Sequence, residues 1–439
     1  MTNTISTIKN NGRPRRDSMD KLSEAEKIQV NWRMKKVYYL SMFSMSFMMQ
    51  PRMQVYLASL NAVEYARMMA NSVMGMFGIQ IMLNPVLSKL TDVWGRKYLL
   101  QLGSTASFLL RTFDFLSPNI NSFFYSTMLG SISMMYSTGV TLSITDLFKN
   151  DPTRVAIEVG KLSMGFILSS IFCPIPSAWL TSKNVRYGIG VSWVLALLQL
   201  YFTQDLEETL PDEKRIPVSG VTFNKVNPLS FINLFLNGYK LAALSIMEGL
   251  TYMVKTSASS RMASLSQQQL FAKKFDWNYT KQTTLDTWGF FCKIFGFVYN
   301  RKIIQSFGLK KSLYYGYLLD MIKCVSDWYS ATPFQYGVNS ILFGAQAVAN
   351  TSVNALLRKE GKRLGIDRNS LQQYLSTLGF VSMFLCQRLW SNVYTRAASS
   401  GDIRNFFIAL SVIPFVNMVL AKMILNEEDY EDSKKEKAK

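Results

Sequence analysis

The chain consists of long apolar segments separated by shorter polar gaps. A helix that spans a bilayer needs about 20 predominantly apolar residues, and the sequence offers twelve segments of roughly this kind. They are residues 36–58, 67–88, 97–116, 121–145, 162–180, 187–204, 239–256, 282–300, 312–330, 335–356, 370–391 and 404–425. The pattern predicts an all-α integral membrane protein with twelve transmembrane helices. The eighth and ninth are the weakest, because charged residues interrupt them.

The charge distribution predicts the topology. Charged residues make up 18% of the chain, below the roughly 25% of ordinary globular proteins. The net charge of +19 is compatible with nucleic-acid binding, membrane-surface binding or basic loops on one side of a membrane. With a cytoplasmic N-terminus, 32 of the 48 Lys and Arg residues fall in cytoplasmic gaps and tails, and nine fall in outer gaps. This asymmetry favours a multi-pass protein of the lipid bilayer with both termini in the cytoplasm and no nucleic-acid partner. It leaves open whether that is the plasma membrane or an organelle membrane.

The longest internal polar gap, residues 205–238, divides the predicted helices six and six. We therefore interpret residues 36–204 as an N-terminal half and residues 239–425 as a C-terminal half, joined by a cytoplasmic linker. The polar segments 1–35 and 426–439 are predicted to be disordered cytoplasmic tails.

The two halves carry a short sequence repeat. The segment "GRKYLLQLG" (Gly95–Gly103) and the segment "GLKKSLYYG" (Gly308–Gly316) both read Gly-x-Lys-x-x-Leu-x-x-Gly, at an offset of 213 residues. The same offset pairs Asp114 with Asp327. Each copy lies between the second and third predicted helices of its half, which is the arrangement expected of parallel six-helix repeats.

The stretch before the first copy, "NPVLSKLTDVWGRK", resembles the loop signature of the major facilitator superfamily, Gly-x-Leu-x-Asp-x-x-Gly-Arg-Lys. The matching residues are Leu90, Asp92, Gly95, Arg96 and Lys97. Ser88 stands at the first glycine of the signature. In "TDLFKNDPTRVAIEVGK", Asp146, Arg154 and Gly160 fall where the family has an Asp, an Arg and a Gly. Gly165 and Pro174 are similar to the Gly- and Pro-rich fifth helix of the antiporters, and "EETLPDEKR" resembles the segment after the sixth helix of tetracycline-efflux-like members.

The resemblance implies the major facilitator fold, two six-helix bundles related by pseudo-twofold symmetry. It also implies transport of a small drug- or metabolite-like solute by alternating access, with antiporters as the nearest subgroup. Asp92, Arg96 and Asp146, with Gly95, Lys97 and Arg154, would form a conformational latch that holds the outward-open state and breaks on inward opening. The second copy has Gln305 and Leu309 in place of the Asp and the Arg, so the latch would be asymmetric. Ser126 stands where many proton-coupled members carry an Arg on the fourth helix.

Ionisable residues inside the predicted spans are candidates for the substrate site. A charged side chain at the bilayer centre costs about 2.5–3.5 kcal/mol on insertion scales, so it normally faces a partner or a cavity. Glu248 and Lys293 reach similar depths on adjacent predicted helices, and Asp286 lies two turns from Lys293. We interpret Glu248 and Lys293 as an ion pair or a shared substrate contact; the alternative is a static pair between helices.

Arg52 follows Pro51 in the first predicted span and is either a substrate ligand or an arginine that extends to the outer interface. Gln346 and Asn350 of the tenth span could hydrogen-bond a solute. Asp320 and Lys323, at i and i+3, are read as a local salt bridge.

Other chemistry is limited. The chain has no His and four widely separated Cys, which we predict to be buried apolar residues. No cofactor, metal or enzyme motif is present, and Asn278 begins a glycosylation sequon in a predicted outer loop. The predicted function is a monomeric secondary or facilitative transporter of a small-molecule substrate, with protons as the candidate coupling ion through Glu248, Asp286 or another acidic residue. The alternative is a transporter-like membrane receptor or scaffold without flux.

Overall fold

The computed structural model describes residues 23–148, 152–210, 215, 227–255, 257–277, 279–366 and 368–437. These residues form α-helices, two short 3₁₀ segments and no strand. The first half contains α1 (Glu24–Ser59), α2 (Ala62–Trp94), α3 (Arg96–Leu116), α4 (Ile120–Leu147), α5 (Pro152–Phe172), α6 (Pro174–Lys183) and α7 (Val185–Gln204). The second contains α8 (Asn233–Leu236), α9 (Tyr239–Lys255), α10 (Ser257–Phe275), α11 (Tyr279–Tyr329), α12 (Pro333–Asn339), α13 (Phe343–Arg363), α14 (Arg368–Ser399) and α15 (Asn405–Lys437).

The first helix begins well before the predicted span. Ser23 and Glu26 form a capping box at its N-terminus, in which each side chain bonds the backbone of the other residue. Val30 and Met34 are buried in the same helix. The prediction that residues up to 35 are disordered is therefore wrong from Glu24 onwards, because the cap and these apolar contacts extend the helix beyond the bilayer segment. The predicted disordered tail 426–439 is likewise helical as far as Lys437.

Two predicted gaps are also largely helical. The predicted outer loop 256–281 contains α10, and the gap 301–311 lies inside α11. In α11 the backbone leaves helical geometry at Gly308, with φ 77° and ψ 161°, so the eighth and ninth predicted spans are two helices that meet at one residue. Asn278 lies outside the described residues.

The apolar character of most helices is modest. Within the described ranges, three stretches are individually long and apolar enough to cross a membrane: Ala62–Leu87, Val185–Gln204 and Asn405–Ile424. A fourth results if Met164–Phe172 and Pro174–Lys183, which meet at a 40° bend, count as one span. The prediction of twelve transmembrane helices therefore does not follow from composition alone, and it stays a prediction.

The apolar core has three parts. At the predicted cytoplasmic end each half has a core of its own. The core of the first half includes Met34, Leu100, Tyr136, Val140 and Ile144. The core of the second half includes Leu244, Leu313, Val353, Leu357 and Leu375. Near the opposite end a single core draws on both halves, including Tyr56, Tyr65, Phe123, Trp390, Tyr394 and Phe406. The two halves therefore share a core near their predicted outer ends and have separate cores at the other end.

The four cysteines are buried and free, as predicted.

Candidate functional site

The turn between α2 and α3 consists of one residue, Gly95, with φ 99° and ψ 165°. This conformation is essentially restricted to glycine. Arg96 follows it and is buried. Its Nε donates to Asp146 Oδ2 at 2.9 Å, and its Nη1 donates to Asp92 Oδ1 and Thr91 Oγ1, each at 2.8 Å. The structure thus brings together four of the six residues predicted to form the latch, with Lys97 adjacent to them.

Burial and neighbouring charges shift the pKa of Arg96 and that of Asp146. Burial tends to lower the pKa of Arg96, but the two carboxylates outweigh it, and its pKa is raised. Burial raises the pKa of Asp146 by more than Arg96 lowers it. The guanidinium therefore keeps its charge, whereas the carboxylate contributed by α4 is the partner that protonates more easily than usual.

Glu208 of the linker also belongs to this cluster, although the sequence did not point to it. Its Oε1 accepts from the backbone N–H of Arg96 at 2.9 Å, and its Oε2 accepts from that of Lys97 at 3.1 Å. The carboxylate therefore caps the N-terminus of α3, where N–H groups lack helical partners and the helix dipole favours negative charge. The Lys97 ammonium donates to the Gln204 carbonyl at 2.8 Å. Nothing local in the sequence connects Glu208 with a residue more than 100 positions earlier.

Arg154, the sixth predicted latch residue, lies in a different environment. Its guanidinium contacts Glu24 at 2.5 Å and lies 4.4 Å from the centre of the Phe148 ring. The charge contacts of Asp92, Arg96, Asp146 and Arg154 described here all lie within the first half. The expectation that these contacts break when the protein opens inward stays a prediction.

A second ionic cluster at the same end was also missed. Glu158, on α5, accepts from Asn31 at 2.7 Å, from Lys161 at 2.6 Å and from Lys35. Burial tends to raise the pKa of Glu158, but these three donors outweigh it and lower the pKa to about 2. The cluster ties α5 to α1 near the cytoplasmic end of the first half.

Arg52 pairs with a carboxylate instead of extending to the interface. Its Nη2 donates to Asp114 Oδ2 at 2.9 Å and to Ser126 Oγ at 2.7 Å. By the resemblance given above, Ser126 stands where many proton-coupled transporters of the major facilitator superfamily carry an Arg. In this chain the guanidinium reaches the same place from α1. The sequence repeat that pairs Asp114 with Asp327 pointed to this carboxylate.

The predicted ion pair between Glu248 and Lys293 is wrong in this structure. Glu248 is buried and its Oε1 accepts from Asn354 Nδ2 at 3.1 Å. The Lys293 ammonium lies over two aromatic rings, 4.9 Å from the centre of Phe290 and 4.6 Å from that of Phe343. Asn354 was missed, although it lies one helical turn beyond Asn350 and its side chain also donates to the Asn350 carbonyl.

The remaining predicted residues make local polar contacts. Asp286 accepts from Ser264 at 2.8 Å and from Gln282 at 3.1 Å. Gln346 donates to Asp320 at 3.3 Å. The predicted Asp320–Lys323 salt bridge is corrected, because Lys323 pairs with Asp327 at 2.5 Å, one helical turn away.

A narrow crevice, too small to hold a water molecule, lies beside Asp320 and Gln346. Thr251, Tyr317 and Asn417 complete its polar lining. The Thr251 hydroxyl bonds the Tyr317 hydroxyl at 2.7 Å and accepts from Asn417 at 3.2 Å. Two hydrogen-bonded groups therefore line one crevice inside the second half.

Solved structures share this fold. The human organic anion transporter MFSD10 (TETRAN) superposes with a TM-score of 0.67 at 16% identity, over 90% of this chain and 99% of that one. The nucleoside transporter NupG gives 0.66 at 14% identity, over 90% and 99%. A D-xylose-proton symporter gives 0.67 at 12% identity, over 92% and 97%. No family model and no curated protein sequence matches the chain. The protein has the fold of these solved transporters, and the predicted all-α fold class is confirmed, while the number of membrane-spanning helices stays a prediction.

Proposed function

We propose that this protein is a secondary transporter that moves a small organic solute by alternating access. The observation that carries the proposal is the unequal closure of the two ends. Both halves contribute to one apolar core near the predicted outer end, whereas each has its own core at the predicted cytoplasmic end. This is the arrangement of an inward-facing state, in which the inner ends are free to separate. The other state would require the shared core to open.

Contacts across the halves support a hinge between α2 and α14. At the hinge the Phe77 and Phe380 rings stack with centres 6.4 Å apart, and on the outer side of this stack Arg388 approaches Asn71 at 3.5 Å. Aromatic faces can slide over one another without leaving a buried polar group unpaired, so a helix pair of this kind suits a rocking motion.

The proposed substrate ligands are Arg52, Glu248, Asp286, Lys293, Gln346 and Asn350. Lys293 is the best supported of these, because its ammonium lies against Phe290 and Phe343 and forms no ion pair with any residue that the structure describes. An aromatic-lined ammonium is suited to an anionic or aromatic solute. The organic anion transporter with the same fold is compatible with this substrate class.

We propose that the residues around Gly95 set the conformational balance. Asp92, Arg96 and Asp146 fix the α2–α3 turn against α4, and Lys97 and Glu208 fix it to the end of α7. Arg154 ties α5 to the start of α1. If these contacts make the first half rigid, its inner and outer ends move together as one body. Protons are the proposed coupling ion, carried by Glu248 or Asp286, and the protein is proposed to act as a monomer with both termini in the cytoplasm.

Solute flux in proteoliposomes tests the function. Uptake and efflux of a panel of metabolites and drugs would be measured with and without a proton gradient. We expect gradient-driven flux of one chemical class, and we expect Glu248→Gln to abolish the response to the gradient. Glu64→Gln, at an exposed cap of α2, is the matched control and should transport normally. Absence of flux across the panel from folded protein would instead support the receptor or scaffold function.

A thiol cross-link tests the conformational assignment. A short bismaleimide joining Asn71→Cys to Arg388→Cys should hold the outer end closed and stop flux. The native cysteines are buried, so the labelled single variants serve as controls. Full activity of the cross-linked protein would rule out opening of this end.

A further inference from the structure

Three charged side chains form an unbalanced cluster in the first half. Arg52 on α1 and Arg111 on α3 both approach Asp114, also on α3. Two guanidinium groups thus surround one carboxylate, and arginine stays protonated in proteins. The cluster carries one positive charge in excess, in a region where buried charges are normally paired.

Both cations compete for the same oxygen atom. Asp114 Oδ2 lies 2.9 Å from Arg52 Nη2 and 3.7 Å from Arg111 Nη1. The other oxygen, Oδ1, accepts from Ser122 Oγ at 3.1 Å. Arg111 donates no hydrogen bond to any described residue, and its Nε is buried without a partner. Arg52 therefore holds the carboxylate in this structure, while Arg111 is a second cation of the same kind within reach.

The three side chains differ in exposure. Asp114 is 0% exposed and Arg111 is 10% exposed, whereas Arg52 is 18% exposed. Arg52 is also held independently of Asp114, because Ser126 Oγ accepts from it at 2.7 Å and the Phe123 ring lies 5.9 Å from its Cζ. A ligand can therefore reach Arg52 more easily than the other two, and Arg52 would keep its orientation if Asp114 moved away.

We propose that Arg52 binds a carboxylate or similar anionic group of the solute, and that Asp114 transfers its Oδ2 contact to Arg111 when that anion arrives. In the solute-free protein Asp114 acts as an internal substitute for the anion. Arg111 is a positioning residue, which receives the displaced carboxylate and so keeps every charge paired. This inference rests on the proposed transport of a small organic solute and specifies its chemical class.

Ligand-dependent thermal stability of the purified full-length protein tests the proposal without requiring flux. Benzoate and lactate are the probes, each compared with its uncharged amide. We expect wild type to be stabilised by the acids and not by the amides. Asp114→Asn removes the internal competitor, so the apparent affinity for the acids should rise about tenfold. Arg111→Gln removes the alternative partner of Asp114, so the affinity should fall about tenfold.

Two further variants complete the design. Arg52→Gln should lose the preference for acid over amide, and Arg67→Gln, an exposed arginine of α2, should behave as wild type. Arg111→Gln leaves the Arg52–Asp114 pair intact, so the test stands even if Asp114→Asn does not fold. Affinity changes in the same direction for both α3 variants, or a wild-type affinity in Arg111→Gln, would overturn the proposal.

The outcomes also separate this proposal from transport itself. If acid-specific stabilisation follows the variants but no solute crosses the membrane, the anion site stands and transport fails. If an uncharged solute is transported and Arg52→Gln leaves its flux unchanged while the acids bind nowhere, transport stands and the anion site fails.

Discussion

The two halves contain the same glycine turn in different surroundings. Gly95 and Gly308 both have positive φ, at 99° and 77°, and ψ values of 165° and 161°. Around Gly95 a carboxylate caps the following helix and Arg96 binds two acidic residues. Around Gly308 a side chain would meet no described atom within 4 Å. The position of Arg96 is occupied by Leu309.

This difference distinguishes the glycine, which the turn requires in both halves, from the ionic cluster, which only the first half has around its turn. The sharp turn between two antiparallel helices needs a residue without a Cβ, and both copies have it. The ionic cluster is not needed for the turn, because the second copy forms it without one. We therefore attribute the charges near Gly95 to a task of the first half, such as holding its inner end rigid.

The largest expected effect comes from alanine substitution at the two glycines. Gly308→Ala should lose about 2 kcal/mol of stability through backbone strain alone. Gly95→Ala should lose about 1 kcal/mol more, because the new Cβ displaces Glu208 from its capping position. Thermal unfolding of the purified variants measures both. Equal losses would mean that the Glu208 cap contributes nothing.

A smaller effect is expected from removing the central charge of the cluster. Arg96→Leu leaves Asp92 and Asp146 without their shared cation, and because these side chains are 27% and 24% exposed, solvent limits the loss to about 2 kcal/mol. The matched variant in the other half, Leu309→Arg, should cost about 1 kcal/mol, because Leu309 packs partly buried against the core of the second half. Cysteine accessibility on both faces should shift in Arg96→Leu alone. An unchanged pattern would contradict a role in the conformational balance.

Glu158 makes the stability of the first half depend on pH. The repeat offset of 213 residues pairs Glu158 with Leu371, which does not titrate. The pKa of Glu158 is lowered to about 2 in the folded protein, from 4.5. Its contribution is therefore complete above about pH 5 and is lost as the pH falls towards 2. We expect Glu158→Gln to cost about 1.5 kcal/mol at pH 7 and progressively less in acid. Unfolding between pH 7 and pH 3 measures this difference, and a pH-independent cost would contradict it.

The smallest effect is expected at Arg154. Its partner Glu24 is exposed, and ion pairs at a surface contribute about 0–1 kcal/mol. Arg154→Ala should therefore cost about 0.5 kcal/mol, and high salt should reduce even this loss. A loss comparable with that of Arg96→Leu would show that Arg154 belongs to the same functional unit after all.

The charged residues in the interiors of the two halves have opposite signs in excess. Among the described residues of the second half, Glu248, Asp320, Asp327 and Lys323 are buried, and Asp286 and Lys293 are partly buried near them. The cluster around Asp114 has a positive excess instead. A solute or ion that approaches both halves would therefore meet opposite charge excesses, which is compatible with transport of an anion together with a proton.

Local sequence patterns predicted much of the site. Asp92 and Arg96 are four residues apart across a glycine, so their contact is almost dictated by the short turn. Lys323 and Asp327 are also one helical turn apart, yet the sequence favoured Asp320, because i,i+3 and i,i+4 partners are equally plausible on a helix. The pairs that failed or were missed join distant segments. Glu248 bonds Asn354 and not Lys293. The rotation of each helix about its axis decides which side chains meet, and the depth of a residue in the membrane does not determine that rotation.

The sequence by itself determined the helical class, the glycine turns, the asymmetric charges beside them and the repeat that relates Asp114 to Asp327. These follow from apolar segment length, from the conformational freedom of glycine and from the preference of charges for one side of a membrane. Tertiary structure alone decided that Glu208 caps α3, that Arg52 reaches Ser126 from α1, and that the halves share a core at one end. Each of these depends on how helices far apart in the chain rotate and pack, and packing is a property of the whole molecule.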